Sequence, residues 1–222
     1  MLTDHYAAYR IRLRTPSLEL RLPDLDDLAQ LADVAADGVH DPSWMPFVVP
    51  WTDATPEVRG RSVITYNMTV IAASTTANWH LPFCVVADGE PVGIQDIGAT
   101  DFGVLREVHT GSWIGQRFQG RGIGTQMRAA VLHLAFEGLS AREATSAAHQ
   151  DNAASNAISR KLGYVPDGMD RLVARGEAAV HVRYRLDREA WHAHRTVPVT
   201  MDGLTDTCLA DLGAVEAVQM TG

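Results

Sequence analysis

A glycine-rich run near the middle of the chain is the segment with the clearest chemical character. The run Gln119–Gly124 has glycine at its second, fourth and sixth positions, so the backbone can approach a ligand there without obstruction from a Cβ atom. An apolar helical pattern begins at Ile123, and the first N–H groups of a helix have no internal acceptors. These N–H groups and the positive end of the helix dipole attract anions, and Arg117 and Arg121 add positive charge beside the run. The run therefore predicts a site for a phosphate or pyrophosphate group.

Other structures can also carry a glycine-rich run. A P-loop requires Gly-Lys followed by Ser or Thr, and the sequence has no such triplet. A dinucleotide-binding fold requires the spacing GxGxxG and an acidic residue that closes the next strand, whereas position 127 is Met127 and Glu143 opens its strand. Both nucleotide folds are therefore disfavoured. An ordinary loop between a strand and a helix stays open at this point, because glycine is common in such loops.

A second polar segment follows downstream, from Asp151 to Tyr164. It begins Asp-Asn-Ala-Ala-Ser-Asn and ends Leu-Gly-Tyr, and its first two residues are suited to cap a helix with one apolar face. A structural role accounts for the cap, the apolar positions and the glycine. It leaves Asn152, Ser155 and Asn156 on the first turn, where their side chains could contact a ligand.

The elements predicted around these two segments define the fold class. Strands are predicted at 18–22, 81–87, 91–100, 106–114 and 143–149, with a final hairpin around 173 and 180–186. Helices are predicted at 24–38, 55–71, 120–138 and 151–162. The order β-α-α-β-β-β-α-β-α-β-β predicts a mixed α+β sandwich rather than a doubly wound parallel sheet.

Together, the two segments resemble the motifs of a known superfamily. Gln-x-x-Gly-x-Gly at the start of a helix resembles the acyl-CoA motif of the GNAT superfamily (GCN5-related N-acetyltransferases). The second segment resembles the Asn-x-x-Ser-Asn and Leu-Gly-Tyr pattern of its RimJ/RimL-like branch. The resemblance implies a GNAT domain over residues 1–187, with a mixed, mostly antiparallel sheet, a splayed strand pair and about four flanking helices. Residues 188–222 are a C-terminal extension whose role the sequence does not indicate.

The resemblance also implies an activity, the transfer of an acyl group from an acyl-CoA to an amine. Acetyl-CoA is the expected co-substrate, and succinyl-CoA is an alternative because some actinobacterial members are described as succinyltransferases. The residues predicted to bind CoA are Ile114, Arg117, Gln119, Gly120, Arg121, Gly122, Ile123, Gly124, Thr125, Asn152 and Asn156. For Asn156, exposure to solvent is an equal alternative. Ser155 matches the family serine that donates a proton to, or hydrogen-bonds with, the leaving thiolate. Direct transfer is expected, because neither Cys84 nor Cys208 lies in either motif.

The base that accepts the proton of the amine is harder to predict. RimL-like enzymes place a glutamate where this chain has Ala174, which puts that mechanism in doubt. Other members use a carboxylate on the strand before the glycine turn, where Glu107 and His109 share one face. Glu107 could equally be a strand carboxylate paired with an arginine. Tyr164 and His181 are less favoured alternatives.

The loop before the second predicted helix is rich in aromatic residues, and Trp44, Phe47 and Trp51 are the candidates for substrate binding. The resemblance places the acceptor beside this loop, although such side chains also pack beneath loops. The acceptor would be a protein N-terminus, a lysine or a small-molecule amine such as a polyamine or aminoglycoside. A non-catalytic sensor that binds acyl-CoA is the rival hypothesis, because the family glutamate is absent.

Composition limits the remaining possibilities. A net charge of −8 argues against general affinity for nucleic acid or an anionic membrane surface. The chain has no long apolar run and no signal-peptide pattern, so a cytoplasmic protein with reduced cysteines is expected. No spacing typical of metal ligands organises the nine histidines, so no metal is predicted. The oligomeric state is left open, with a homodimer as one arrangement.

Overall fold

The computed structural model describes residues 1–215 of the chain. Its helices are α1 (Leu2–His5), α2 (Leu25–Asp37), α3 (Pro56–Ala73), α4 (Phe102–Leu105), α5 (Ile123–His133), α6 (Ala153–Lys161), α7 (Arg188–His194) and α8 (Asp206–Asp211). Its strands are β1 (Arg12–Arg14), β2 (Leu18–Arg21), β3 (Asn78–Ala87), β4 (Glu90–Thr100), β5 (Glu107–Ile114), β6 (Glu143–His149), β7 (Val165–Ala174), β8 (Glu177–Asp187) and β9 (Thr200–Asp202).

Local sequence chemistry accounts for the ends of the helices. Asp24 caps α2 by accepting a hydrogen bond from the backbone N–H of Asp27 at 2.8 Å, and the Asp27 carboxylate accepts from the backbone N–H of Asp24 in return. Gly38 follows α2 with φ of +131°, a conformation that suits glycine. Pro56 is the first residue of α3, where its missing N–H costs no hydrogen bond. These features confirm the predicted start and end of α2 and the predicted start of α3.

Within residues 1–215, the nine strands form one sheet in the order β7-β8-β6-β5-β4-β3-β2-β1-β9. Every neighbouring pair is antiparallel except β5 and β6. The predicted mixed, mostly antiparallel sheet is therefore confirmed. A mixed sheet of this kind, with helices on both faces, is the architecture of the GNAT fold that the motifs predicted.

The parallel pair β5 and β6 separates partway along its length. The two strands are paired from Glu107 to His109 on β5, opposite Glu143 to Thr145 on β6. Beyond this point β5 continues to Ile114, and its residues 111–114 pair only with β4. The opening exposes one edge of the β5 backbone to a space between the strands, which is the predicted splayed pair.

Helices cover both faces of the sheet and bury two apolar clusters. On one face, α5 packs on β1, β2 and β4, and its buried residues belong to the larger cluster with those of α7 and α8. On the other face, α2 and α3 enclose a smaller cluster that includes Leu31, Val63, Cys84 and Ile94.

The C-terminal extension packs on the same core as the preceding residues. Strand β9 pairs with β1, and Trp191 of α7 is fully buried and stacked on Phe136. The indole N–H of Trp79 donates a hydrogen bond to the backbone carbonyl of Leu212 at 3.0 Å. Up to residue 215, the extension thus completes one edge of the sheet and covers part of the core. Within that range, no helix has the length and apolar character needed to cross a membrane.

Candidate active site

The glycine turn leads directly into α5. Gly120 and Gly122 have φ of +75° and +78°, the left-handed region that disfavours residues with a Cβ atom. An added Cβ at either position would meet no atom within 4 Å, so both glycines border open space. No side chain caps α5 at Gly122, and the first N–H groups of the helix therefore have no side-chain acceptor. This geometry suits an anion.

The third glycine of the run, Gly124, has a different environment. A Cβ atom at Gly124 would lie 2.8 Å from Cδ1 of Ile158 on α6. A side chain at Gly124 would therefore have to displace the terminal methyl group of Ile158, whatever ligand binds. A bulky substitution at Gly124 would disturb this contact, so Gly120 and Gly122 are the better positions at which to test ligand binding.

A cavity of about 590 Å³ extends from the glycine turn into the opening between β5 and β6. It brings together residues 111–114 of β5, residues 146–148 of β6, the start of α6 and part of the loop before α3. The predicted residues that line it are Trp44, Phe47, Ile114, Gln119, Gly120, Gly122, Ile123, Gly124, Thr125, Asn152 and Ser155. Arg117, Arg121, Asn156, Trp51, Glu107 and His109 are not among its lining residues.

The two arginines of the turn differ in their partners. Arg117 forms ion pairs with Asp37, at 2.7 Å, and with Glu90. Its guanidinium also lies over the Phe118 ring, 4.6 Å from the centroid. Arg121 donates a hydrogen bond to the backbone carbonyl of Arg117 at 3.0 Å and forms no ion pair within the described chain. Arg121 therefore carries the charge that remains free for an anion.

The side-chain amides of Gln119 and Asn156, two residues predicted to bind CoA, form hydrogen bonds within the protein. Gln119 donates hydrogen bonds to the backbone carbonyls of Val39 and Ile114, which fixes the turn against both neighbouring segments. Asn156 is buried, donates to the backbone of His149 and Gln150, and accepts a hydrogen bond from the hydroxyl of Tyr184 at 3.0 Å. Solvent exposure of Asn156, one alternative at the sequence level, is excluded by this burial. Its amide holds α6 against β6 and β8.

Ser155 lies at the start of α6 beside a buried arginine. Asn152 accepts a hydrogen bond from the backbone N–H of Ser155 at 3.0 Å and so caps α6, as predicted. Arg128, which is 4% exposed, lies 3.4 Å from Oγ of Ser155 and 2.9 Å from Oγ of Ser159. It has no carboxylate partner among the described residues, and burial lowers the pKa of its guanidinium. Arg128 could not be predicted as a site residue, because one arginine within an apolar helical pattern gives no signal of burial.

The candidate bases lie on β5, away from the glycine turn. Glu107 forms an ion pair with Arg185 at 2.8 Å, and the same guanidinium also pairs with Glu143. Pairing with an arginine is the structural alternative that the sequence left open for Glu107. The ring of His109 meets that of His80 with 4.9 Å between centroids, above Gly98, where an added Cβ would lie within 3 Å of both rings. Burial lowers the pKa of His109, and the charge of His80 lowers it further.

The other possible proton acceptors lie in different places. Ala174, at the position of the family glutamate, is the last residue of β7, and the next residue, Arg175, pairs with Asp53 of the segment before α3. His181 lines the cavity and packs edge-to-face on His149 with 4.4 Å between centroids. Burial lowers the pKa of His181, and His149 adds to the effect. Tyr164 is buried, and burial raises the pKa of its hydroxyl.

The loop that contains Trp44, Phe47 and Trp51, called the aromatic loop below, is held beside the cavity by three contacts. The indole N–H of Trp44 donates to the carboxylate of Asp151 at 3.1 Å. Arg175, in the turn between β7 and β8, forms an ion pair with Asp53 and donates to the backbone carbonyl of Pro42. These contacts hold the loop between the turn that joins β7 to β8 and the residues just before α6. Phe47 and Trp51 pack together with 5.4 Å between ring centroids.

Neither cysteine lines this cavity. Cys84 and Cys208 are both buried with free thiols, and burial raises the pKa of each, to about 11 for Cys208. A thiol with a raised pKa is a poor nucleophile at neutral pH. The high pKa values of both thiols support direct transfer.

Three residues of types that bind metals lie close together, namely His80, Asp96 and His109. Each places one donor atom within 4.8 Å of the others. The absence of a metal stays a prediction.

Comparison with known proteins agrees with this geometry. Residues 17–165 match the family model of the acetyltransferase (GNAT) domain. Mycobacterium smegmatis RimJ, solved with a CoA disulfide, is 25% identical with a TM-score of 0.68, over 84% of this chain and 93% of RimJ. RimL, the ribosomal L7/L12 α-N-protein acetyltransferase solved with coenzyme A, is 21% identical with a TM-score of 0.63, over 79% of this chain and 97% of RimL. A GCN5-related N-acetyltransferase from Brucella melitensis is 17% identical with a TM-score of 0.65, over 83% of this chain and 81% of its own. The chain therefore belongs to the acetyltransferase (GNAT) family, in its RimJ/RimL-like branch.

Proposed function

We propose that this protein transfers the acetyl group of acetyl-CoA to the nitrogen of an amine by direct attack in a ternary complex. One observation carries the proposal: a single cavity joins the glycine turn, the opening between β5 and β6, and the aromatic loop. An anion site, an exposed strand edge and a place for a second substrate are therefore continuous. A protein that only senses acyl-CoA would need the anion site and the exposed strand edge, but no place for a second substrate.

The cavity suggests how CoA binds. Its pyrophosphate would lie against Gly120 and Gly122, where open space and free N–H groups coincide and Arg121 adds positive charge. The pantetheine arm would lie along residues 111–114 of β5, whose backbone has no strand partner on the side of β6. Its amides would then pair with the strand as an added strand would. This arrangement brings the thioester towards Ser155.

In the transfer step, the amine nitrogen attacks the carbonyl carbon of the thioester and the carbon–sulfur bond breaks. The amine loses one proton and the departing thiolate gains one, so the products are an amide and free CoA. A backbone N–H of β5 is suited to stabilise the negative charge on the carbonyl oxygen. Ser155 is suited to protonate the thiolate, and Arg128 beside it stabilises negative charge on either partner.

Between the two predicted bases, the contacts favour His109. The carboxylate of Glu107 is engaged by Arg185, whereas His109 has a lowered pKa and stays neutral near pH 7. His109 is also two residues from Gly111, which lines the cavity. Its side chain does not reach the cavity directly, so a water or the neighbouring His80 would relay the proton.

The acceptor class follows partly from the relatives. RimL is named for acetylating the α-amine of a ribosomal protein, and the same chemistry on a protein N-terminus or another primary amine fits this cavity. Acetyl is the proposed acyl group and succinyl the alternative. We place the reaction in the cytoplasm.

Ser155 and Ser159 allow a matched test. Both hydroxyls lie within hydrogen-bonding distance of Arg128, but only Ser155 lines the cavity. We expect Ser155→Ala to lower kcat by about 10²–10⁴-fold with little change in the KM for acetyl-CoA, the range for a positioned acid–base group. Ser159→Ala should leave kcat close to that of the wild type. Equal kcat values in the two variants would contradict the role of Ser155, and acetyl-CoA binding without transfer to any amine would favour a sensor.

A further inference from the structure

A second cavity adjoins the proposed CoA site on the face of the sheet covered by α2 and α3. It also measures about 590 Å³ and shares Phe47, Val48 and residues 111–113 of β5 with the first cavity. A molecule in the second cavity would therefore meet the thioester along the same stretch of β5. This position suits the acceptor amine, so the inference below rests on the proposed function.

The walls of this acceptor cavity are mostly aromatic and aliphatic. Trp51 packs against Phe47 and against Trp113, with ring centroids 5.4 and 5.7 Å apart. Tyr66 of α3, which is 59% exposed, completes the ring-lined wall. Apolar walls favour an apolar part of the ligand, and aromatic faces also attract a cation.

One carboxylate lies among these apolar walls. Asp96 on β4 lines the cavity, with 18% of its side chain exposed, and is the one acidic residue of the described lining. Its Oδ2 lies 3.0 Å from Nδ1 of His80, and its Oδ1 is buried with no hydrogen-bond partner among the described residues. A carboxylate has about four acceptor positions, so most of the capacity of Asp96 is unused. Burial raises the pKa of Tyr66, and the charge of Asp96, which lines the same cavity, raises it further.

We propose that the acceptor of this enzyme is a primary ammonium attached to an apolar group, with the ammonium bound to Asp96 and the apolar group held by Phe47, Trp51, Tyr66 and Trp113. A single carboxylate in an apolar wall matches one positive charge. Polyamines and aminoglycosides, which carry several charges, match it poorly because their remaining charges would lie against apolar surface. The proposal therefore disfavours polyamines and aminoglycosides, which the sequence left open as acceptors.

Three small molecules test the contribution of the ammonium and that of the apolar group separately. 2-Phenylethylamine carries both the ammonium and the ring, 2-phenylethanol replaces the ammonium by a hydroxyl, and ethanolamine lacks the ring. We expect the CoA-bound wild-type protein to bind 2-phenylethylamine about 10- to 100-fold more tightly than 2-phenylethanol, as measured by calorimetry, because a hydrogen bond to a charged group is at stake. Ethanolamine should bind more weakly than 2-phenylethylamine.

A peptide distinguishes a protein acceptor from a small molecule. Phe-Ala-Ala has the same ammonium and ring attached to a peptide backbone. Tighter binding of the peptide than of 2-phenylethylamine would indicate a protein N-terminus as the acceptor, and tighter binding of 2-phenylethylamine would indicate a small molecule.

Two variants complete the test. Asp96→Asn should abolish the preference for 2-phenylethylamine over 2-phenylethanol, whereas Asp88→Asn, at an exposed carboxylate in the turn between β3 and β4, should preserve it. Equal binding of the two probes by the wild type would overturn the proposal without any variant, and so would a preference that survives Asp96→Asn. CoA affinity and amine acylation are measured on the same samples. In the wild type, absence of both CoA binding and amine acylation would contradict the proposed function, whereas absence of the probe preference alone would contradict only the assignment of the acceptor.

Discussion

Gly122 gives the sharpest test of the phosphate site, because the chain contains a matched position elsewhere. Gly122 and Gly89 have φ of +78° and +83°, and an added Cβ at either position meets nothing within 4 Å. Gly122 lines the CoA cavity, whereas Gly89 lies in the turn between β3 and β4. An alanine therefore experiences the same backbone strain at both positions and differs only in what it approaches.

The expected magnitudes follow from this geometry. A Cβ atom in the left-handed region costs about 1–2 kcal/mol, so both alanine variants should lose a similar free energy of unfolding. Each kcal/mol corresponds to about 2–4 °C in Tm for a protein of this size. CoA at about 100 times Kd adds about 2.7 kcal/mol to the wild type. If the methyl group of Gly122→Ala displaces the pyrophosphate and weakens binding about 100-fold, the same CoA concentration adds only about 0.4 kcal/mol.

The assay is thermal unfolding of the wild type and both variants, with and without CoA at one fixed concentration. Without CoA, we expect Gly122→Ala and Gly89→Ala to unfold at similar temperatures below that of the wild type. With CoA, Gly89→Ala should gain about as much as the wild type and Gly122→Ala little. Equal gains by the two variants would refute the placement of the pyrophosphate at the start of α5.

Two further outcomes are expected at the same site. Arg121→Ala should weaken CoA binding measured by calorimetry by more than Arg117→Ala, because Arg117 is already paired with Asp37; a larger loss with Arg117→Ala would contradict this assignment. If His109 accepts the amine proton, kcat/KM should fall as the pH drops through a pKa lower than that of an ordinary histidine, since burial and the charge of His80 both disfavour the protonated ring. His109→Asn should remove this acidic limb in a pH–rate profile, and an unchanged limb would exclude His109 as the base.

Elements with a strong pattern could be predicted from the sequence, and weakly patterned ones could not. The β3–β4 hairpin, the capped helix α2 and the glycine turn before α5 each combine a periodic apolar pattern with a residue suited to the turn or cap. Strands β1 and β9 have only three residues each, too few to show a period of two, and they were missed. Residues 165–172 of β7 were missed because this strand lies exposed at an edge of the sheet, where no apolar face is required.

The same distinction applies to the site. Backbone features such as the positive φ of Gly122 and the cap by Asn152 are local, so the sequence indicated them, and the family and enzyme class that they predicted are confirmed. Burial of Arg128 and the position of Asp96 in a second cavity depend on contacts between distant segments. Composition and spacing contain no signal for such contacts. The bonds that engage Asn156 were hidden for the same reason.

The most direct measurement of the central claim is mass spectrometry of the products formed when the purified protein is mixed with acetyl-CoA and a panel of primary amines. The account predicts one molecule of N-acetylated amine for each free CoA released, with 2-phenylethylamine among the better acceptors and with Ser155→Ala much slower. An intact thioester with every amine, in a protein that still binds CoA, would contradict it.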